Sequence, residues 1–290
     1  MRLKDCNVTI VGLGQMGASI GRAFVARRAC RSVLGVARKK KTLLAAVDLH
    51  AAHFVTDKLS AACADADLVL LATPARTILR QLPVVAAAMK RGSVLIDVGS
   101  SKGAICRAAA KALHGAGVQF VGGHPMAGRS GCGPGSSDPD LFRGCPFVLC
   151  PIAGTRPDSL RLAAEVAAAV RARPVRLDPS AHDRAVSLVS HLPHVIAVAL
   201  VLQAAGDRSG LALHLAAGSF LGATRVAATD TDMLLDILLT NSPEIVLSLV
   251  SFRRLLGMIE SSIRRGDVAV LRRLLSKARS FRESMTSPVC

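Results

Sequence analysis

The chain predicts an α/β domain built on a doubly wound parallel sheet, followed by an all-helical domain. Three observations carry this expectation. Short apolar runs alternate with alanine-rich, helix-like segments through residues 1–178. A glycine-rich turn separates the first run from the first helix. From Pro179 onward, runs bounded by turns give way to long segments of helical apolar periodicity.

Val8–Val11 reads as the first strand, ending at Gly12, and Met16–Arg27 as the first helix. Ser32–Ala37 is the second strand. Leu68–Leu71 and Val94–Val98 are core strands closed by turn signals at Thr73–Pro74 and Gly99, and Gln119–Val121 is another. Lys41–Ala46, Ala75–Lys90 and Gly103–His114 are the intervening helices. Phe147–Cys150, Asp158–Arg173 and Val175–Leu177 extend the alternation as strand, helix and strand. The expected boundary lies between residues 178 and 179, giving a dinucleotide-binding domain of 1–178 and a helical domain of 179–290. Beyond it Asp183–Gln203, Leu211–Ala227, Asp232–Leu239, Pro243–Arg265 and Val268–Ser284 read as helices. Gly128–Gly135 reads as a mobile loop.

Composition narrows the function classes. With Trp and Tyr both absent, Ala, Leu and Val must build the core. A formal charge of +17 admits three partners: nucleic acid, an anionic membrane or acidic small molecules. The scarcity of aromatic side chains argues against single-strand nucleic-acid binding. The cations are dispersed, with nine Lys or Arg against three acids from Ser251 to Cys290. The most apolar stretch, Val195–Ala205, is shorter than the roughly 20 residues of a membrane span, so no membrane partner is expected. The eight cysteines lack CxxC or metal-ligand spacing, which suits reduced thiols in a cytoplasm and no metal. No signal peptide is read at the N-terminus.

Gly12-Leu13-Gly14-Gln15-Met16-Gly17 fits G-x-G-x-x-G between a strand and a helix. The first glycine permits the tight turn, the second lets backbone approach a pyrophosphate, and the third lets helix and strand pack closely. This is the start of a Rossmann dinucleotide site. An NAD-selective domain ends its second strand on Asp or Glu to hold the ribose 2′-hydroxyl. Here the strand runs into Arg38-Lys39-Lys40-Lys41, with no acid before Asp48. Cations there suit a 2′-phosphate, so NADP is expected over NAD.

Polar residues cluster at the ends of later strands. Ser100 and Lys102 follow the strand at Val94; Ser100 can donate to a bound hydroxyl or belong to a simple turn. His124 exits the next strand between a glycine pair and Pro125, a good position for a general base. His182-Asp183 and Ser190-His191-Leu192-Pro193-His194 open the helical domain. Ser190 and His194 are one helical turn apart, and Pro193 should kink that helix. A structural role and a substrate pocket both explain this cluster.

Together, VGLGQMGAS, LATP, DVGSSKG, GGHPMAG, DLFRG, HD before SLVSHLPH, and TRVAATD with Asn241 downstream resemble the prephenate/arogenate (cyclohexadienyl) dehydrogenase family over essentially the whole chain. The resemblance implies oxidative decarboxylation of prephenate, arogenate or both, with NADP expected from the cations at Arg38–Lys41. It implies His124 as catalytic base on the ring hydroxyl and Ser100 as its helper. Ser190 and His194 would line the substrate and nicotinamide pocket, and Arg225 would hold a substrate carboxylate. The cofactor set is Gly12, Gly14, Gln15, Met16, Gly17, Arg38, Lys39, Thr73 and Pro74. A homodimer through the C-terminal helices is also implied. Two departures stand out: Ser101 in the GSxK motif, and Leu234 or Leu235 where the family carries an aromatic residue. The competing reading is another NAD(P)-dependent Rossmann oxidoreductase, acting on an amino-substituted prephenate, a β-hydroxyacid or an imine.

Overall fold

The computed structural model describes residues 1–128 and 131–285. Arg129 and Ser130, inside the expected mobile loop, lie outside the described residues.

The first part of the chain alternates as expected: β1 (Asn7–Val11), α1 (Gln15–Ala26), β2 (Ser32–Val36), α2 (Lys40–Asp48), β3 (Phe54–Thr56), α3 (Leu59–Ala64), β4 (Leu68–Leu71), α4 (Ala75–Ala88), β5 (Val94–Asp97), α5 (Gly103–Ala112), β6 (Gln119–Pro125), β7 (Pro146–Pro151), α6 (Pro157–Ala169) and β8 (Arg173–Arg176). The eight strands form one sheet in the order β3-β2-β1-β4-β5-β6-β7-β8. Every pairing is parallel except β6 with β7. The sequence reading passed over β3 and α3. β3 has only three residues and lies at the sheet edge with Phe54 exposed, so it shows neither a buried run nor an alternation.

Both faces of the sheet are covered. Leu68 and Leu70 of β4 enter one core with Ile10, Phe24, Ile96 and Phe147. Val69 and Leu71 enter the other with Leu82, Val85 and Phe120. Burial on both faces explains why the central strands read as unbroken apolar runs.

The remaining elements are helical: α7 (Pro179–Val186), a π-helical segment (Ser187–His191), α8 (Leu192–Ala205), α9 (Leu211–His214), α10 (Gly218–Thr224), a 3₁₀ turn (Arg225–Ala228), α11 (Thr231–Thr240), α12 (Ser242–Arg264) and α13 (Val268–Ser284). The chain divides into two compact units. The first runs from Met1 to Asp183 and takes in Thr229–Asn241, so α11 belongs with the sheet although it follows the 178/179 position in sequence. The second comprises Arg184–Ala228 and the segment from Ser242 onward.

The structure refines three helical expectations. Leu211–Ala227 is not one helix: Ala217 is extended and Gly218 begins a new one. At Pro193 the ladder is adjusted through a π-helical segment just before it, with the Leu192 N–H bonding to the Ser187 carbonyl. Val195–Ala205 is also not an isolated run. It continues a helix from Pro179 whose 27 residues are, by length and composition, enough to cross a membrane. The shortness of that run therefore no longer argues against a span.

Within the second unit, α8 is apolar nearly all round, and Leu200 and Leu202 are exposed. Val246, Leu247 and Leu256 of α12 and Leu275 of α13 are exposed as well.

Candidate functional site

The chain order reverses at β1, which pairs with β2 on one side and β4 on the other. The carboxyl ends of these strands open the crevice where such sheets take ligands. The turn after β1 shows why its glycines are needed. Gly12 has φ +99°, and a Cβ there would lie 2.7 Å from the Ala72 carbonyl oxygen. A Cβ on Gly17 would lie 1.9 Å from the Gly12 oxygen, so helix and turn touch at that point. Gly14 faces open space instead. Gly14 is the N-cap of α1, and no side chain caps that end. The N-terminus of α1 and its dipole thus suit an anion. This cradle fits a dinucleotide pyrophosphate.

Beside it, β2 ends at Val36, and Arg38 and Lys39 follow fully on the surface. Neither enters an ion pair among the described residues, and Lys40 and Lys41 begin α2. Across the crevice Pro74 is the N-cap of α4, and the Thr73 hydroxyl donates to Gln81 Oε1 at 2.8 Å.

The next two strand ends carry a buried polar network. Asp97, the last residue of β5, is wholly buried with Lys102, and the Lys102 ammonium is hydrogen-bonded to its Oδ2. The N–H of Gly99 donates to Oδ2 at 2.9 Å, and that of Gly123 to Oδ1 at 3.3 Å. Burial pushes the Asp97 carboxyl up, against the pull of Lys102. The loop between them exposes Ser100 in part and buries Ser101, whose hydroxyl donates to Thr240 at 2.7 Å. Thus the first Ser of the motif is left partly open to solvent, and the second ties the loop to α11.

β6 pairs with β5 at Asp97–Gly122, which brings His124 out beside this loop. His124 Nδ1 is 2.8 Å from His182 Nε2, and the two rings meet edge to face. His182 Nδ1 is in turn 2.8 Å from Asp183 Oδ1. Asp183 also accepts from the N–H of Lys102 at 2.7 Å and of Gly103 at 2.8 Å. Burial works to raise its carboxyl, but the bonds from His182, Lys102 and Gly103 outweigh this and hold it below the usual carboxylate range. Asn241 Nδ2 donates to the Asp183 carbonyl at 3.0 Å.

His182 and Asp183 were legible only as part of a polar cluster, open to a structural or a pocket role, with no tie to His124. The one available signal was a polar pair ahead of an apolar helix. Their connection to His124 spans 58 residues and is invisible without the fold.

The other expected site residues lie in the second unit. Ser190 sits in the π-helical segment, and its carbonyl bonds to His194 Nδ1 at 2.8 Å. They are therefore joined, one turn apart, through backbone rather than through both side chains. Arg225 is exposed at the start of the 3₁₀ turn after α10.

Comparison with known proteins gives consistent matches. The family model "Prephenate dehydrogenase, nucleotide-binding domain" matches residues 20–176, and "Prephenate dehydrogenase, dimerization domain" matches 178–277. The prephenate dehydrogenase of Lactococcus lactis is 31% identical over 96% of this chain and 77% of its own length. The arogenate dehydrogenase structure from Synechocystis superposes with a TM-score of 0.82 at 29% identity, covering 96% of this chain and 99% of that one. A prephenate dehydrogenase from A. aeolicus, in complex with hydroxyphenyl propionate and NAD+, gives a TM-score of 0.87 at 26% identity, covering 99% of both chains. By these matches the chain is an oxidoreductase that belongs to the prephenate dehydrogenase family.

Proposed function

We propose that the chain oxidatively decarboxylates prephenate, arogenate or both, with NADP+, to 4-hydroxyphenylpyruvate or tyrosine. The observation that carries this is the position of His124. It stands at the carboxyl end of β6, one strand from the Ser100 loop, with its Nδ1 engaged by His182.

The glycine turn and the N-terminus of α1 would hold the pyrophosphate, and Arg38 with Lys39 would meet the 2′-phosphate. A bound nicotinamide supplies the hydride acceptor. His124 takes the ring hydroxyl proton as that carbon loses hydride, so no positive charge is stranded on oxygen. Ser100 holds the same hydroxyl. When the ring carboxylate leaves as CO₂, its electron pair passes through the ring to the new carbonyl oxygen, and His124 returns the proton there. The ring becomes aromatic, which makes the step effectively irreversible. Arg225 would orient a carboxylate, and Ser190 and His194 would line the ring pocket.

We further infer a cytoplasmic homodimer. The second unit matches a dimerization domain and leaves Leu202, Leu247 and Leu275 exposed, so a second copy is a sufficient reason for apolar helical surface without a membrane.

The test is reduction of NADP+ and of NAD+ by the purified protein, with prephenate and arogenate offered separately. Turnover preferring NADP+ supports the whole reading. A preference for NAD+ removes the role given to Arg38 and Lys39. No turnover with any pair, from folded protein that binds dinucleotide, moves the assignment to another Rossmann oxidoreductase.

A further inference from the structure

We propose that His182 and Asp183 are positioning residues that lock His124 in the tautomer whose Nε2 carries the lone pair. This rests on the reading of His124 as the base and specifies what makes it one.

The chain of bonds fixes where each proton sits. Asp183 is buried and takes two backbone N–H bonds, from Lys102 and Gly103. A carboxylate so solvated by donors is ionised and can only accept. The proton in its 2.8 Å bond to His182 therefore sits on His182 Nδ1. A neutral imidazole with Nδ1 protonated has Nε2 as its acceptor. The proton in the 2.8 Å bond between the two histidines then belongs to His124 Nδ1. His124 Nε2 is left as the basic nitrogen. As His124 takes a proton, the new charge is offset by anionic Asp183 through His182, with no movement of either group.

The fold is built to hold this geometry. A Cβ on Gly103 would lie 2.9 Å from Asp183 Oδ2, so a residue without a side chain lets the carboxylate reach both N–H groups. His182 is fully buried, which fixes its ring. Around this chain lie Asp97 and Lys102 on β5 and its following loop, Cys106 and Arg107 on α5, and Cys150 on β7. Asp97 and Lys102 offset one another, leaving Asp183 as the negative charge aligned with the histidines.

The experiment is ¹⁵N NMR of histidine-labelled full-length protein, with the His124 signals assigned by their loss in His124→Ala. The expected spectrum shows His124 protonated at Nδ1 and bare at Nε2; a proton on Nε2 overturns the proposal without any variant of the relay having to fold. His182→Leu is expected to lower kcat/KM about 10²-fold or more, the scale of general-base help, with cofactor affinity kept. His182→Gln, whose amide oxygen can accept from His124, should recover part of it. Asp183→Asn should move the acid limb of the kcat/KM profile to lower pH, since the charge favouring protonated His124 is gone. An activity loss equal at every pH marks a merely structural role. Full turnover by His124→Ala would sink the base reading itself. An inactive His124→Ala beside an Nε2-protonated wild type sinks only the relay.

Discussion

Replacing Lys102 by Met tests the buried pair beneath the Ser100 loop. Lys102 and Asp97 are both entirely buried, so the substitution keeps the volume but strands one carboxylate. Asp97 would retain only the Gly99 and Gly123 N–H bonds, at 2.9 and 3.3 Å. Removing one partner of a buried pair costs about 3–5 kcal/mol, because the remaining charge is desolvated and uncompensated. Burial already raises Asp97, so folded protein binds this proton more tightly than unfolded chain. Stability from that group falls as pH rises above the unfolded value and recovers as pH drops and Asp97 is protonated. The Lys102→Met penalty should thus be largest at neutral pH and shrink toward acid. Adding Asp97→Asn should restore part of the loss at neutral pH, since the charge is gone and one acceptor remains. Urea unfolding of wild type, both single variants and the double variant, at neutral and acid pH, measures all of this. A single-variant loss under about 1 kcal/mol, or one that does not change with pH, refutes the argument that the pair is a desolvated charge couple.

Further outcomes are expected at the crevice. Gly17→Ala forces a Cβ to within 1.9 Å of the Gly12 oxygen, so it should lower thermal stability and weaken dinucleotide binding; normal affinity by fluorescence titration would mean the turn yields freely. His124→Ala should lose about 10²–10⁴-fold in kcat while keeping cofactor affinity, checked by steady-state kinetics and cofactor titration. Arg38→Ala should raise the KM for NADP+ about ten-fold and leave that for NAD+ nearly unchanged, as expected for a lost charge-assisted bond. Arg225→Ala should chiefly raise the substrate KM; an unaltered KM excludes it as a carboxylate clamp.

What the sequence by itself determined are features set by short stretches of chain. The glycine turn is one: Gly12 at positive φ and Gly17 against the turn have the geometry that their spacing predicts, and Gly14 faces open space. The alternation of apolar strands and helices is another, because a strand buried on both faces leaves an unbroken run such as Leu68–Leu71. The placing of His124 and Ser100 at or just after strand ends was legible too, because such runs close on turn signals. The tertiary structure alone decided the rest, since it depends on pairings between distant residues. Only the fold brings His182 to His124 and Asp183 to the backbone of Lys102 and Gly103, and only the fold turns β7 antiparallel. It also draws Thr229–Asn241 back to the first unit, through Thr240 to Ser101 and Asn241 to Asp183. Buried polar groups must find partners, but their identity is a matter of three-dimensional proximity that no local pattern encodes.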